Sequence, residues 1–407
     1  FTTPANAFIM RKIYPWLPSY DRAFVRAEPL TRIRDIAHRN DIPQELKKEI
    51  KHTLQNKLHR CAGPEDLATS EKILQRITAG HGEYSSDFVE QFKIFHEELL
   101  EFFNAGSLEK RLRKMLTLER EGGRAGGKVA QGVERFLAAK EGLENTAEDR
   151  LVILLRITEL RSILRSILIA QREKNADTRS QNIRLADTGL EDYAFVLLSE
   201  VITDFESSEE LPWKQALNAL TLTVNNLSIS GIEADERRVI LSELKAWQRK
   251  FNPTNRDQLL RLKATLSRGR RLADGQSDLV FDLFFEKAHQ LGLALGVASH
   301  AIELYCEGEI RGSLIFQLAK LNDLLLQQIR RKANLPSWDV IVPGIAAGRL
   351  QVCEYLTDLA RPAGENIAVV NKAEGDETIP HGVRGIVLAH HLPHLSHLAI
   401  RTRQEGV

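Results

Sequence analysis

Leu335-Pro336-Ser337-Trp338-Asp339-Val340-Ile341-Val342-Pro343-Gly344 divides the chain into two textures. Upstream, apolar residues recur at helical spacing in runs at 148–174, 189–205, 211–226, 234–250, 257–273, 277–293 and 310–333. Downstream, the helical period disappears and short β-branched runs replace it: Val340-Ile341-Val342, Ile367-Ala368-Val369-Val370 and Gly385-Ile386-Val387-Leu388. Gly, Pro and Asp clusters punctuate them, as they do between strands. A last helical pattern starts near Leu395. The fold expected is therefore mostly α, a multi-helix body over 1–335, followed by a small C-terminal α/β unit over 336–407.

Within the body, Ile42-Pro43-Gln44-Glu45 opens a helix with Pro early and an acid in the first turn, continuing to about Arg60. Phe88, Phe92, Phe95, Leu99 and Phe103 are spaced by four, three, four and four, which draws one apolar stripe for a core. Residues 121–132 hold five glycines and read as a flexible connection between two sub-bundles. No block repeats at a fixed period.

The bulk numbers narrow the function. At 407 residues the chain is long for one core and suggests more than one domain. Lys and Arg number 56 against 55 Asp and Glu, so there is no basic excess to bind nucleic acid. The apolar fraction of 43% is ample for buried cores. Three scattered cysteines, Cys61, Cys306 and Cys353, build neither a disulfide framework nor a zinc set, which fits a reducing compartment. The most apolar run, 151–170, is interrupted by Arg156, Glu159, Arg161 and Arg165 and reads as an amphipathic helix rather than a membrane span. The chain begins at Phe1 without an initiator Met and stops inside a periodic pattern, so it is expected to be a piece of something longer.

Two stretches bear on chemistry. Gly122-Gly123-Arg124-Ala125-Gly126-Gly127-Lys128-Val129 almost spells a phosphate-binding loop. That motif needs a buried strand before it and a hydroxyl after the Lys to hold magnesium; Leu118-Glu119-Arg120-Glu121 is no such strand and Val129 has no hydroxyl. It is read as a solvated linker. The second stretch is His390-His391-Leu392-Pro393-His394-Leu395-Ser396-His397, followed by Leu398-Ala399-Ile400-Arg401-Thr402-Arg403-Gln404. His391, His394 and His397 at spacings of three suit metal ligation, but Pro393 opposes a continuous helix and no nearby carboxylate or cysteine completes a set. Alternatively His397 carries a phosphate: neutral imidazole is a nucleophile toward phosphorus, and a helix starting at Leu395-Ser396 would aim its N-terminal amides at the group. Arg401, four residues on, shares that face and would pair with phosphate oxygens; Arg403 lies on another face. The remaining reading is a basic amphipathic helix with a capping Ser and an incidental His.

Pro393-His394-Leu395-Ser396-His397-Leu398, with Arg401, Arg403 and Gln404 after it, resembles the phosphohistidine signature of the glucan, water dikinases, in its phosphoglucan, water dikinase form. Asn371-Lys372-Ala373-Glu374-Gly375-Asp376-Glu377 and Trp338-Asp339-Val340-Ile341-Val342-Pro343-Gly344 are similar to the loop before that signature and to the start of the same domain. Asn40-Asp41-Ile42-Pro43, the run from Ile50 to Leu67, Phe88-Val89-Glu90-Gln91-Phe92 and Phe102-Phe103-Asn104-Ala105-Gly106 resemble the family's helical region. The chain departs from the family at Thr402, where Ala is preferred, and at His390-His391, where Gln-Glu is usual.

The resemblance implies that 336–407 is a swivelling phosphohistidine domain, incomplete at its C-terminus, and that 1–335 is the helical central region. It implies a starch-phosphorylating dikinase in which His397 takes the β-phosphate of ATP and passes it to a glucan, the γ-phosphate going to water. Ser396, Arg401 and Arg403 are implied supporting phosphate contacts; His59 is family-like, with a packing or cap role. ATP and Mg2+ are implied cofactors, bound mainly in an ATP-grasp domain outside this chain. Phosphorylated α-glucan (starch) and that domain are the implied partners, with no nucleic acid and no membrane insertion, and the plastid (chloroplast) stroma is the implied location. A non-catalytic scaffold or interaction protein derived from the family is the alternative, and a relative acting on a small molecule such as pyruvate is a third.

Overall fold

The computed structural model describes residues 32–33, 36–37, 39–55, 64–79, 84–104, 106–124, 127–142, 146–170, 178–231, 234–294, 305–336, 338–359, 364–373, 377–390, 392 and 394–407. They are mostly helical, with a small three-stranded parallel sheet toward the C-terminus. The chain forms two compact units, Phe1–Asp235 and Glu236–Val407. Among the described residues no helix is long and apolar enough to cross a membrane.

The first unit holds α1 (Gln44–Ile50), which passes into a π-helical turn at Lys51–Gln55, then α2 (Pro64–Ala79), α3 (Ser86–Asn104), α4 (Gly106–Glu121), α5 (Lys128–Gly142), α6 (Ala147–Ala170), α7 (Thr178–Ser207) and α8 (Trp213–Ile229). The aromatic stripe of α3 is core: Phe88, Phe92, Phe95 and Leu99 are fully buried, with ring centroids 6.2 and 5.5 Å apart along the phenylalanines. The side chain of Phe103 and the segment containing His59 lie outside the described residues.

The described residues of the glycine-rich stretch belong to two helix ends. Gly123, at φ 71°, and Arg124 close α4 by donating their N–H groups to the carbonyls of Arg120 (3.1 Å) and Glu119 (2.8 Å). Glycine reaches this left-handed conformation without a Cβ clash, and the two bonds satisfy carbonyls that a helix end leaves open. Residues 128–132 already belong to α5, with Lys128 as its first residue. The stretch's described residues are the stop of one helix and the start of the next. Likewise α7 begins well before Gly189, because Gly189 marks a close approach: a Cβ there would stand 3.1 Å from Leu108 Cδ1 of α4.

Of the four charges that interrupt 151–170, Arg161 does not face solvent. It is fully buried and donates to Asp187 (2.8 Å), the Asn226 side chain (2.9 Å), Glu191 (2.7 Å) and Ser230 (3.1 Å), tying α6 to α7 and α8. A buried guanidinium is tolerated when its donors are matched in this way.

The second unit contains α9 (Ala234–Lys250), lying almost wholly within it, then α10 (Arg256–Ala294), α11 (Tyr305–Arg311) and α12 (Leu314–Lys332), followed by the sheet and α13 (His397–Glu405). The periodic runs 257–273 and 277–293 are one helix, since 274–276 continue it. β1 (Arg349–Cys353), β2 (Asn366–Val370) and β3 (Val383–Leu388) pair parallel in that order. Two of the three expected strands are present. Val340–Val342 is not a strand, because Arg270 of α10 donates to the Val340 carbonyl at 2.6 Å and to that of Ile341 at 3.3 Å. The edge strand β1 takes its place in the sheet.

One face of the sheet carries the core of the α/β part: Leu356, Ala368, Val370, Ala373, Val383, Leu392 and Leu398. Every member comes from residues 356–398, so this part has a core of its own. On the opposite face Leu350 and Val352 of β1 and Val387 of β3 are exposed.

Candidate functional site

Helix α13 opens with Ser396 as its cap. The Ser396 backbone is extended (φ −63°, ψ 158°), and its Oγ accepts a hydrogen bond from the Ala399 N–H at 3.2 Å. This is how serine satisfies an amide that a helix start leaves open. His397 is thereby the first helical residue, and Gly406 ends the helix at φ 68°. Leu398 faces the sheet core, and Ile400 is fully buried.

His397 is 7% exposed, and both of its ring nitrogens are engaged by α11. Nδ1 meets Glu307 Oε2, and Arg311 Nη1 meets Nε2. Arginine only donates, so Nε2 accepts; the proton of the neutral ring then sits on Nδ1 and is donated to the carboxylate. This arrangement fixes the tautomer and leaves Nε2 as the nitrogen with the lone pair. Burial pushes the His397 pKa down, and Arg311 and Arg401 act in the same direction against the opposing pull of Glu307. Burial alone would raise the Glu307 carboxyl, but the His397 N–H and the Arg401 guanidinium outweigh it and hold it below the usual carboxylate range.

Arg401, one turn beyond His397, donates Nε to Glu307 Oε1 (3.0 Å) and Nη1 to the Glu377 carbonyl (2.9 Å). Its contact is therefore with the carboxylate that holds the imidazole. Arg403 binds along α10: Asp274 at 2.6 Å, Asp278 at 3.0 Å and Ser277 Oγ at 3.0 Å. The structure thus brings Ser396, His397 and Arg401 together at one place and engages Arg403 on a different element. Cys306, next to Glu307, is buried, and its thiol is pushed up to about 12 by burial and by the Glu309 and Glu307 charges. It stays protonated at neutral pH.

The other histidines of the cluster are engaged elsewhere. His394 is buried, bonded to Arg270 through its ring and 3.4 Å from Asp274, while its backbone N–H donates to Asp323 at 2.9 Å. His390 bridges the Asn371 and Ala373 carbonyls at 3.1 and 2.9 Å. His391 lies outside the described residues. Among the described residues no group of three or more His, Cys, Asp or Glu side chains could hold a metal ion.

Sequence reasoning did not single out Glu307 and Arg311. They stand 90 and 86 residues from His397 in the chain. Their spacing of four within Tyr305–Arg311 puts both on one helical face, but nothing local says what that face meets.

Residues 1–106 match the phosphoglucan water dikinase linker domain family, and residues 337–407 match the α-glucan water dikinase, phosphohistidine-like domain family. Curated relatives include the chloroplastic α-glucan water dikinase of Solanum tuberosum, 27% identical over 260 residues, covering 63% of this chain and 17% of that protein. The chloroplastic α-glucan water dikinase 1 of Arabidopsis thaliana is 25% identical over 267 residues, covering 64% of this chain and 18% of that protein. The chloroplastic α-glucan water dikinase of Citrus reticulata is 27% identical over 251 residues, 60% of this chain and 17% of that protein. The chain thus spans less than a fifth of the length of these relatives. No solved structure matches it. With its two ends similar to linker and phosphohistidine-like domains of such enzymes, and 25–27% identity to these relatives, the chain is similar to the glucan water dikinases.

Proposed function

We propose that this chain is the linker and phosphate-carrying part of a starch-phosphorylating dikinase, with His397 as the carrier. The Nε2 lone pair attacks the β-phosphorus of ATP, the bond to the α-phosphate oxygen breaks, and AMP leaves. Water then attacks the γ-phosphorus, the P–O bond between the γ-phosphorus and the bridging oxygen breaks, orthophosphate leaves, and the β-phosphoryl group stays on the ring. A glucosyl hydroxyl then attacks the phosphohistidine, the P–N bond breaks, and the hydroxyl proton is released. The substrate is a plastid α-glucan already phosphorylated by a sister enzyme, modified at the 3-position hydroxyl in the stroma.

One observation carries this reading. In the segment that matches a phosphohistidine-like domain, His397 sits at the start of a capped helix with its Nδ1 proton held by Glu307, which leaves the lone pair on Nε2, covered by Arg311 in this arrangement. Ser396 supports the role by fixing the helix start, and Arg401 by neutralising Glu307.

ATP and Mg2+ are assigned to a nucleotide-binding domain elsewhere in the protein. The described residues do not fit them: no carboxylate set suits a cation, and Lys128 opens a helix rather than following a strand.

The test uses the complete protein and ATP labelled at the β-phosphorus. The label is expected on His397 as an acid-labile, base-stable adduct, with γ-label found only in orthophosphate. His397→Ala should remove both the adduct and glucan phosphorylation. Persistence of either in that variant overturns the carrier role, and a complete protein that never takes up β-label favours the scaffold reading.

A further inference from the structure

We propose that Glu307 and Arg311 of α11 form an intramolecular docking site for unmodified His397, one that excludes the phosphorylated ring. The inference rests on the carrier role proposed above and adds its regulation: the carrier parks when empty and is released when loaded.

Three observations carry it. First, both ring nitrogens are satisfied by side chains from outside the α/β part, one turn apart on a single helix. Nothing in the fold of α13 requires this, since Ser396 and Gly406 already cap it. Second, the site closes on the atom that would be modified. An N–H of Arg311 occupies the Nε2 lone pair, and a phosphorus bonded to Nε2 must take that same place. His397 is 7% and Arg311 8% exposed, and the guanidinium lies over the Phe316 ring at 5.6 Å, so neither partner has an open side to retreat into. A phosphoryl group also brings a charge of about −1.5 to −2 beside the Glu307 carboxylate, where like charges repel.

Third, the surrounding contacts suit separation. The α/β part keeps its apolar core to itself. Among the contacts that α13 and the residues before it make with α10–α12 are charged and polar ones, Arg403 to Asp274 and Asp278 and the His394 N–H to Asp323, beside Leu395 and Ile400, which are fully buried and lie outside that core. Polar contacts of this kind are common at transient interfaces.

The experiment uses phosphoramidate, a small donor that phosphorylates accessible imidazoles without ATP. The Nε2 lone pair forms the new P–N bond, the reagent's P–N bond breaks, and ammonia leaves with the proton the reagent already carries on nitrogen. The ring keeps its Nδ1 proton as the cation until water removes it. In this chain His397 is expected to react about tenfold or more slowly than exposed His381, because reaction waits on local opening. Arg311→Met and Glu307→Gln should each bring His397 toward the rate of His381. His390, held by the Asn371 and Ala373 carbonyls at 3.1 and 2.9 Å in the same unit, should keep its own rate and so report that the α/β part of the variants is folded. Equal rates for His397 and His381 in the unaltered chain, or no acceleration in either folded variant, overturns the proposal.

A second measurement needs no variant. Once His397 of the unaltered chain is phosphorylated, hydrogen exchange of α11 and α13 amides should speed up. If it slows, the pair binds the phosphoryl group instead and the proposal fails. The reagent acts on any accessible imidazole, so a failed dock leaves the carrier role standing. Conversely, β-label retained by His397→Ala would end the carrier role without touching these rates.

Discussion

At His397 the local chemistry sets a pH dependence whose direction follows from burial. Its pKa is lowered in the folded chain below the ordinary value of 6.5, with burial the largest cause. A proton therefore binds the unfolded or opened ring more tightly, so this contribution to stability is present at neutral pH and is lost as pH falls through 6.5. Glu307, also lowered, contributes above its ordinary value of 4.5 and loses that contribution as pH falls through its folded value. The charged groups bonded to this pair are Arg311 from α11 and Arg401 from α13. Urea midpoints measured from pH 7.5 down to 5.5 should fall more steeply in the unaltered chain than in His397→Gln. Parallel slopes would show that the imidazole is not held as described. Arg401→Ala in the complete protein should weaken β-labelling without abolishing it, since it removes one charge-assisted phosphate contact worth about 1.5–3 kcal/mol once the ring has left Glu307. Arg403→Ala, removing bonds made to α10, should leave the labelled nitrogen unchanged and increase exchange at α13.

Among the elements, α13 and α3 illustrate what local pattern can and cannot carry. Ser396→Ala removes the acceptor for the Ala399 N–H and should cost about 1 kcal/mol in a denaturant titration. Phe92→Ala in the buried stripe of α3 should cost about 3–5 kcal/mol, because a large side chain leaves a cavity its neighbours fill only in part. A loss below 1 kcal/mol would mean that the stripe is not core. Both features were legible as spacing or residue type. The strand at 349–353 was not: its apolar residues Leu350 and Val352 alternate with Arg349 and Gln351 and point to solvent, so the segment lacks a β-branched run. Val340-Ile341-Val342 has such a run yet forms no ladder, since a side chain from α10 takes two of its carbonyls. The apparent break at 274–276 is helical, and Asp274 and Ser277 are where Arg403 binds.

On the scale of the whole molecule, each unit is organised around a charged group whose partners are distant in sequence. In the first, Arg161→Met should destabilise by about 3–5 kcal/mol, because it leaves Asp187 and Glu191 without their buried cation. A change under 1 kcal/mol by urea titration would mean that the network is solvated rather than buried. From the sequence, Arg161 was simply one of four charges interrupting an apolar run, since periodicity cannot tell a wet charge from one matched across three helices. The sequence by itself determined the helical body, the change of texture near residue 335, the aromatic stripe, and a histidine behind a capping serine at a helix start. These are properties of period and of neighbouring residue type, which local backbone preference enforces. Only the tertiary structure decided that Glu307 and Arg311 hold the two ring nitrogens, that Arg401 serves that carboxylate and Arg403 serves α10, and that β1 joins the sheet. Each of these depends on bringing together groups far apart in the chain, and hydrogen bonding and burial at such a distance leave no trace in local spacing.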